Sequence, residues 1–228
     1  MPPFPNDEHQ GKLTFHHFST GDISMKPHVK ICGIRRSEDA FLAENLGASA
    51  IGFAFYHKSE RYIEPADARK ISDRLGPFIA RIGVFVDEDP VTIRRIAESV
   101  PLTAVQLHGS ETPDYCSRFR WTPVIKAFRV GADFDASELG RYSASAYLFD
   151  TLSRDAYGGT GQPFDWRLTR DSHLYWRIIL AGGLSPENIR DAIETVRPWA
   201  VDVSSGVEAR PGVKDHDKMQ RFFEELNR

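Results

Sequence analysis

Two groups able to move protons sit where short apolar runs end. Cys32 closes the run in Val29-Lys30-Ile31-Cys32-Gly33-Ile34, and Asp150 closes Leu148-Phe149-Asp150-Thr151. A carboxylate after apolar residues is costly unless it has partners or a task, so Asp150 is either a structural acceptor for Thr151 or a nearby loop, or a functional group. The thiol is either an inert small hydrophobe or, once ionised, a base. One proton donor and one acceptor on opposite sides of a small sugar are what an aldose-to-ketose isomerisation requires. A second signal comes from Ala181-Gly182-Gly183-Leu184-Ser185 and Val203-Ser204-Ser205-Gly206, whose small residues let backbone N-H groups approach an anion. One such loop is an ordinary tight turn. Two of them, after adjacent final strands, make Gly182, Gly183, Ser204, Ser205 and Gly206 candidates for holding phosphate.

Those groups need a frame, and the frame is periodic. Apolar runs occur at 29–34, 50–55, 79–86, 104–108, 124–128, 147–150, 177–181 and 200–203, which predicts eight strands. Most lack clean alternation, as expected for parallel strands covered on both faces. Helical patterns lie between them. Glu64-Pro65, Asp89-Pro90, Thr112-Pro113 and Ser185-Pro186 each put a proline just inside an expected first turn, behind a good N-cap in all but the first. Ala68, Ile71 and Leu75, then Ile93, Ile96 and Val100, then Ile189, Ile193 and Val196 recur at helical spacing. Eight alternating units favour a closed barrel over a doubly wound sheet. The fold class expected is α/β, a single (β/α)8 TIM barrel over 26–228 preceded by a flexible N-terminal extension over 1–25. In such a barrel the C-terminal strand ends converge on one face, so Cys32, the loop with Arg61, Asp87, Gln106-Leu107-His108, Lys126, Asp150 and the two Gly/Ser loops meet around one pocket.

Composition narrows the function classes. The 228 residues suffice for one barrel and not for a second full domain. A formal charge of -3 provides no basic field for nucleic acid, and no apolar run reaches the length of a bilayer span, so no nucleic acid and no membrane partner is expected. The N-terminus lacks the apolar core of a signal peptide, making the cytoplasm the default. Cys32 and Cys116 form no C-x-x-C pair, and Cys116 has no motif around it. His9, His16 and His17 lie in the extension without an ordered scaffold, so no metal is expected. Gly158-Gly159-Thr160-Gly161 lacks the lysine of a nucleotide-binding P-loop and reads as a lid over the pocket.

The segments VKICGI at 29–34, GFAFYHKSERYI at 52–63, GVFVDE at 83–88, AVQLHG at 104–109, FDT at 149–151, YGGTGQPFDW at 157–166, LAGGLSPENI at 180–189 and AVDVSSGVEARPGVKDHDK at 200–218 together resemble the phosphoribosylanthranilate isomerase family. The resemblance covers about 29–226. It implies a cofactor-free enzyme of tryptophan biosynthesis that binds a small phosphosugar and performs an Amadori rearrangement. It implies Cys32 as general base and Asp150 as general acid, hence a thiol kept ionised and a carboxyl kept neutral near pH 7. Arg61 falls on the position that holds the anthranilate carboxylate, where a guanidinium fork suits a planar anion; a salt bridge is the structural alternative. Gln106 and His108 would face the pocket from the fourth strand and Asp202 from the eighth, as supporting residues. The alternatives are a histidine-pathway isomerase, which would pair two aspartates where Cys32 stands, indole-glycerol-phosphate synthase, which would want catalytic lysines and a longer chain, and a non-catalytic phosphate-ligand sensor. A monomer is the default assembly, with a homodimer possible.

Overall fold

The computed structural model describes residues 26–131, 134–151 and 176–228. The expected extension with its three histidines and the expected lid at 158–161 lie outside the described residues. Eight parallel strands close a barrel in sequence order: β1 (His28–Cys32), β2 (Ala50–Ala54), β3 (Ala80–Phe85), β4 (Ala104–Leu107), β5 (Val124–Val130), β6 (Ala146–Thr151), β7 (Ile178–Leu180) and β8 (Ala200–Val203). Outside them lie α1 (Ser37–Asn45), α2 (Pro65–Ser72), α3 (Pro90–Ser99), α4 (Pro113–Cys116), α5 (Ile189–Val196) and α6 (His216–Asn227). Among the described residues no helix is long and apolar enough to cross a membrane.

The strands do alternate, but by size. Val29, Ile31, Ile51, Phe53, Phe85, Val105, Leu107, Val201 and Val203 turn outward under the helices, where large side chains are needed. The lumen core is packed by Ile82, Ala104, Ile125, Ala127, Ala146, Leu148, Ile179, Ala181 and Ala200, most of them small because the lumen is narrow. Continuing that inward parity upward leads to Cys32, Gln106, His108, Asp150, Gly183, Asp202 and Ser204. The period of two therefore selects the residues of one face.

The proline-led starts hold for α2, α3 and α4, with Asp89 accepting from the Thr92 amide and Thr112 from the Tyr115 amide. Ser185-Pro186 is a correction. α5 begins at Ile189 behind Asn188, because the Asn188 side chain is spent on the preceding loop, accepting from the Ser185 amide and donating to the Gly183 carbonyl. After β8 comes an element no periodicity announced, the antiparallel hairpin of β9 (Glu208–Arg210) and β10 (Val213–Lys214).

This hairpin is tied down by buried carboxylates. Asp39 accepts from Arg36 at 2.6 and 2.9 Å, from His216 at 2.9 Å and from the Lys214 amide at 3.2 Å, joining α1 to α6. Burial pushes Asp39 and Glu208 up, but Arg36 and His216 around the first, and Arg61 and Lys214 around the second, outweigh it and hold both below the usual carboxylate range. A carboxyl lowered in the folded state stabilises it above the unfolded pKa of about 4, and that contribution is lost as the pH falls through the folded value. Urea midpoints at pH 7, 4 and 3 are expected to fall mainly below pH 4, with a shallower fall in Asp39→Asn.

Candidate active site

A cleft of about 800 Å³, counting its open mouth, lies at the C-terminal ends of the strands. Its lining includes Cys32, Arg61, Gln106, His108, Asp150, Gly182, Gly183, Asp202, Ser204 and Ser205. Ten of the eleven candidate residues thus meet around one space, contributed by β1, β4, β6 and β8 and by the loops that follow β2, β4, β7 and β8.

Asp150 at the top of β6 is buried, with Oδ2 3.2 Å from Nε2 of His108. Nδ1 of the same ring lies 2.8 Å from Nε2 of Gln106, so a continuous chain of hydrogen bonds runs from β4 to β6. His108 is in turn set by its loop. Lys126 reaches across from β5 to the carbonyls of Leu107 and Gly109, at 3.3 and 2.8 Å, and to Glu111 at 2.7 Å. All three ammonium protons are used in fixing that backbone, which accounts for the buried lysine the sequence had put at this strand end.

Cys32 sits across the cleft on β1, paired in register with Gly52 of β2. A Cβ on residue 52 would stand 2.8 Å from the sulfur and 3.1 Å from Cε of Lys30, so the glycine is there for space. Burial pushes the Cys32 thiol up, Asp202 pushes it further, and Lys30 and Lys214 pull it down without overcoming them.

Arg61 lines the cleft, but much of its fork is already taken. Nε and Nη2 bind Glu208 at 3.0 and 2.7 Å, and Lys214 reaches the same carboxylate at 2.9 Å. Two cations share one anion, so the cluster keeps an excess positive charge at the cleft wall. Among the described residues Nη1 of Arg61 makes no hydrogen bond, and it is the part of the fork left for a ligand. Asp202 is similarly divided: Oδ2 pairs with Lys30 at 2.9 Å, while buried Oδ1 has no partner among the described residues.

Residues of the two Gly/Ser loops line the same cleft. Gly182 and Gly183 hold φ of 80° and 70°, left-handed values that turn the chain sharply after β7 and that side chains resist. Gly206 is the candidate that does not line the cleft. It brings the loop after β8 against the loop after β7: a Cβ there would lie 1.8 Å from the Leu184 carbonyl oxygen and 3.0 Å from Cα of Ser185. Because the obstacle is backbone, Gly206→Ala is expected to cost roughly 1–3 kcal/mol of stability by overpacking, and to weaken binding of inorganic phosphate as the loops part. Thermal unfolding and phosphate titration check both.

Lys30, Gly52, Glu208 and Lys214 carry much of this geometry and were not singled out from the sequence. A lysine and an aspartate inside the apolar runs VKIC and AVDV were the available signal, since two buried opposite charges need one another.

Known proteins resemble this chain in sequence and fold. The family model of N-(5'phosphoribosyl)anthranilate (PRA) isomerase matches residues 29–225. The N-(5'-phosphoribosyl)anthranilate isomerase of Thermotoga maritima is 50% identical over 199 residues, covering 86% of this chain and 96% of that one. The crystal structure of phosphoribosyl anthranilate isomerase from Thermotoga maritima superposes with a TM-score of 0.82 at 47% identity, covering 88% and 98% of the two chains. A phosphoribosyl anthranilate isomerase solved in complex with reduced 1-(o-carboxyphenylamino)-1-deoxyribulose 5-phosphate gives 0.79 at 46% identity over the same shares. A match across nearly the whole barrel, at such identity, means that this chain belongs to the N-(5'-phosphoribosyl)anthranilate isomerase family.

Proposed function

We propose that the chain converts N-(5'-phosphoribosyl)anthranilate to 1-(2-carboxyphenylamino)-1-deoxyribulose 5-phosphate, with Asp150 as general acid and Cys32 as general base. What carries the reading is one observation: the thiol and the carboxyl line the same cleft as residues of the two Gly/Ser loops. The phosphate is held between Gly182-Gly183 and Ser204-Ser205, and the excess charge of Arg61 and Lys214 over Glu208 receives the anthranilate carboxylate at Nη1 of Arg61. Protonated Asp150 gives its proton to the furanose oxygen, and the C1'–O bond breaks to leave a cationic Schiff base. Cys32 as thiolate then takes the proton from C2', and the electron pair moves into a C1'=C2' bond to form the enolamine. That intermediate gains a proton at C1' and loses one from the 2'-hydroxyl to become the ketone. Solvent returns a proton to Asp150 and removes one from Cys32, so no redox partner is needed.

The raised resting thiol fits this order of events. A positive charge created on the substrate beside the sulfur favours the thiolate when it is required. The Gln106–His108–Asp150 chain supports the acid: with the Gln106 amide turned so that Oε1 accepts from Nδ1–H, Nε2 of His108 accepts from the protonated carboxyl. We infer a monomer as the default working unit, with a homodimer as the alternative, and the cytoplasm as its compartment. Phosphoribosylanthranilate is fluorescent, and its signal is expected to decay on adding the protein as the ketose forms. Tight binding of the compound with no decay would instead make the chain a sensor.

A further inference from the structure

Below Cys32 the lumen holds two charges that the proton transfers just described leave unused. β1 turns alternate residues inward, so Lys30 lies one step beneath Cys32 on the same face. The β1–β8 register sets Lys30 opposite Asp202, and Nζ meets Oδ2 at 2.9 Å with the side chains 4% and 7% exposed. The lumen they enter has an apolar core that includes Ile82, Leu148 and Ile179. A buried ion pair in such surroundings is often no more stable than apolar packing of the same volume, so stability alone does not account for it. Nor is the pair saturated, because Oδ1 of Asp202 lacks a partner among the described residues. Above, the missing side chain of Gly52 leaves one space that the Cys32 sulfur and the Lys30 stem share. The ammonium that binds Asp202 is thus carried on a stem beside the sulfur.

We propose that Lys30 is a positioning residue whose ammonium supports Cys32 as a thiolate, and that Asp202, by holding the same ammonium and adding a negative charge, restrains it. The pair sets how readily the thiol gives up its proton. This rests on the reading of Cys32 as the base. The other charges near the sulfur are held elsewhere: Lys214 of β10, which also lowers the thiol, and Arg61 of the β2–α2 loop share Glu208 of β9, and across the cleft Asp150 is hydrogen-bonded to His108. Lys30 shares the space left by Gly52 with the sulfur and lowers its pKa where Asp202 raises it.

The test is alkylation of the full chain by iodoacetamide as a function of pH, with the Cys32 peptide followed by mass spectrometry and Cys116, 1% exposed, as an internal control. Lys30→Met keeps the length of the side chain and removes its charge; Asp202→Asn keeps the shape and removes the competing carboxylate. The Cys32 midpoint is expected to move up in the first and down in the second, each by about one pH unit or more, roughly a tenfold change in thiolate fraction. The ascending limb of kcat/KM is expected to move with it. A merely structural role would loosen the lumen in both variants and move both midpoints the same way or not at all, and either result overturns the proposal. Should Lys30→Met fail to fold around an unpaired Asp202, the double variant K30M/D202N removes both charges; its midpoint is then required to lie above that of Asp202→Asn alone. If the midpoints shift in opposite directions while the limb of kcat/KM stays put, Lys30 tunes the thiol as stated but Cys32 is not the base, so the two failures are told apart.

Discussion

Replacing Cys32 by alanine is expected to lower kcat for phosphoribosylanthranilate by about 10²–10⁴-fold, the usual contribution of a positioned base, with KM little changed. The reason lies in how the ligand would be held. The Gly/Ser loops after β7 and β8 and the Arg61–Lys214–Glu208 cluster bind the two anionic ends, and none of those contacts needs the sulfur. Ground-state binding therefore survives, and the loss falls on the step in which C2' gives up its proton. Folding should survive too, because the change removes one partly exposed atom beside Gly52. Steady-state kinetics with a thermal melt check the prediction: an unchanged melting temperature with an unchanged kcat would mean that another group takes the proton.

Asp150→Asn is expected to produce a loss of the same order, about 10²–10⁴-fold, for a different step. The amide keeps the shape of the carboxyl and its contact with His108, but it has no acidic proton to give to the furanose oxygen. Ring opening then stalls before the Schiff base exists. The two variants differ in what they accumulate. Borohydride, which reduces a C=N bond, should trap substrate on Cys32→Ala, where the ring opens and the next proton stays in place. It should trap little on Asp150→Asn. Equal trapping on both would contradict the assignment of the opening step to Asp150.

The barrel was legible because eight apolar runs and their proline-led helices recur along the chain, and because polar residues gather at the ends of the runs. Cys32, Asp150, Gln106 and His108 could be drawn to one mouth on that logic alone. What could not be read was pairing across the barrel. Lys30 and Asp202 stand 172 positions apart and become partners only through the β1–β8 register. Arg61 and Glu208 are 147 positions apart, and the hairpin that carries Glu208 has no periodic signature, so the fork looked free when much of it was occupied. The balance at Cys32, with burial and Asp202 set against Lys30 and Lys214, was unreadable for the same reason, since those groups meet only in the folded barrel. Gly206 was put among the phosphate-binding residues by composition, whereas the backbone of Leu184 explains why nothing larger stands there.

The central claim is that Asp150 and Cys32 act in turn on one substrate in one cleft, and a double-mutant cycle on kcat addresses it most directly. A slower ring opening does not alter the equilibrium it leads to, so a chain lacking both groups is limited by whichever single step is slower. The account predicts that C32A/D150N turns over about as slowly as the worse of Cys32→Ala and Asp150→Asn, as found for residues that work as a unit. Losses that multiply, as for two groups in independent environments, would contradict it.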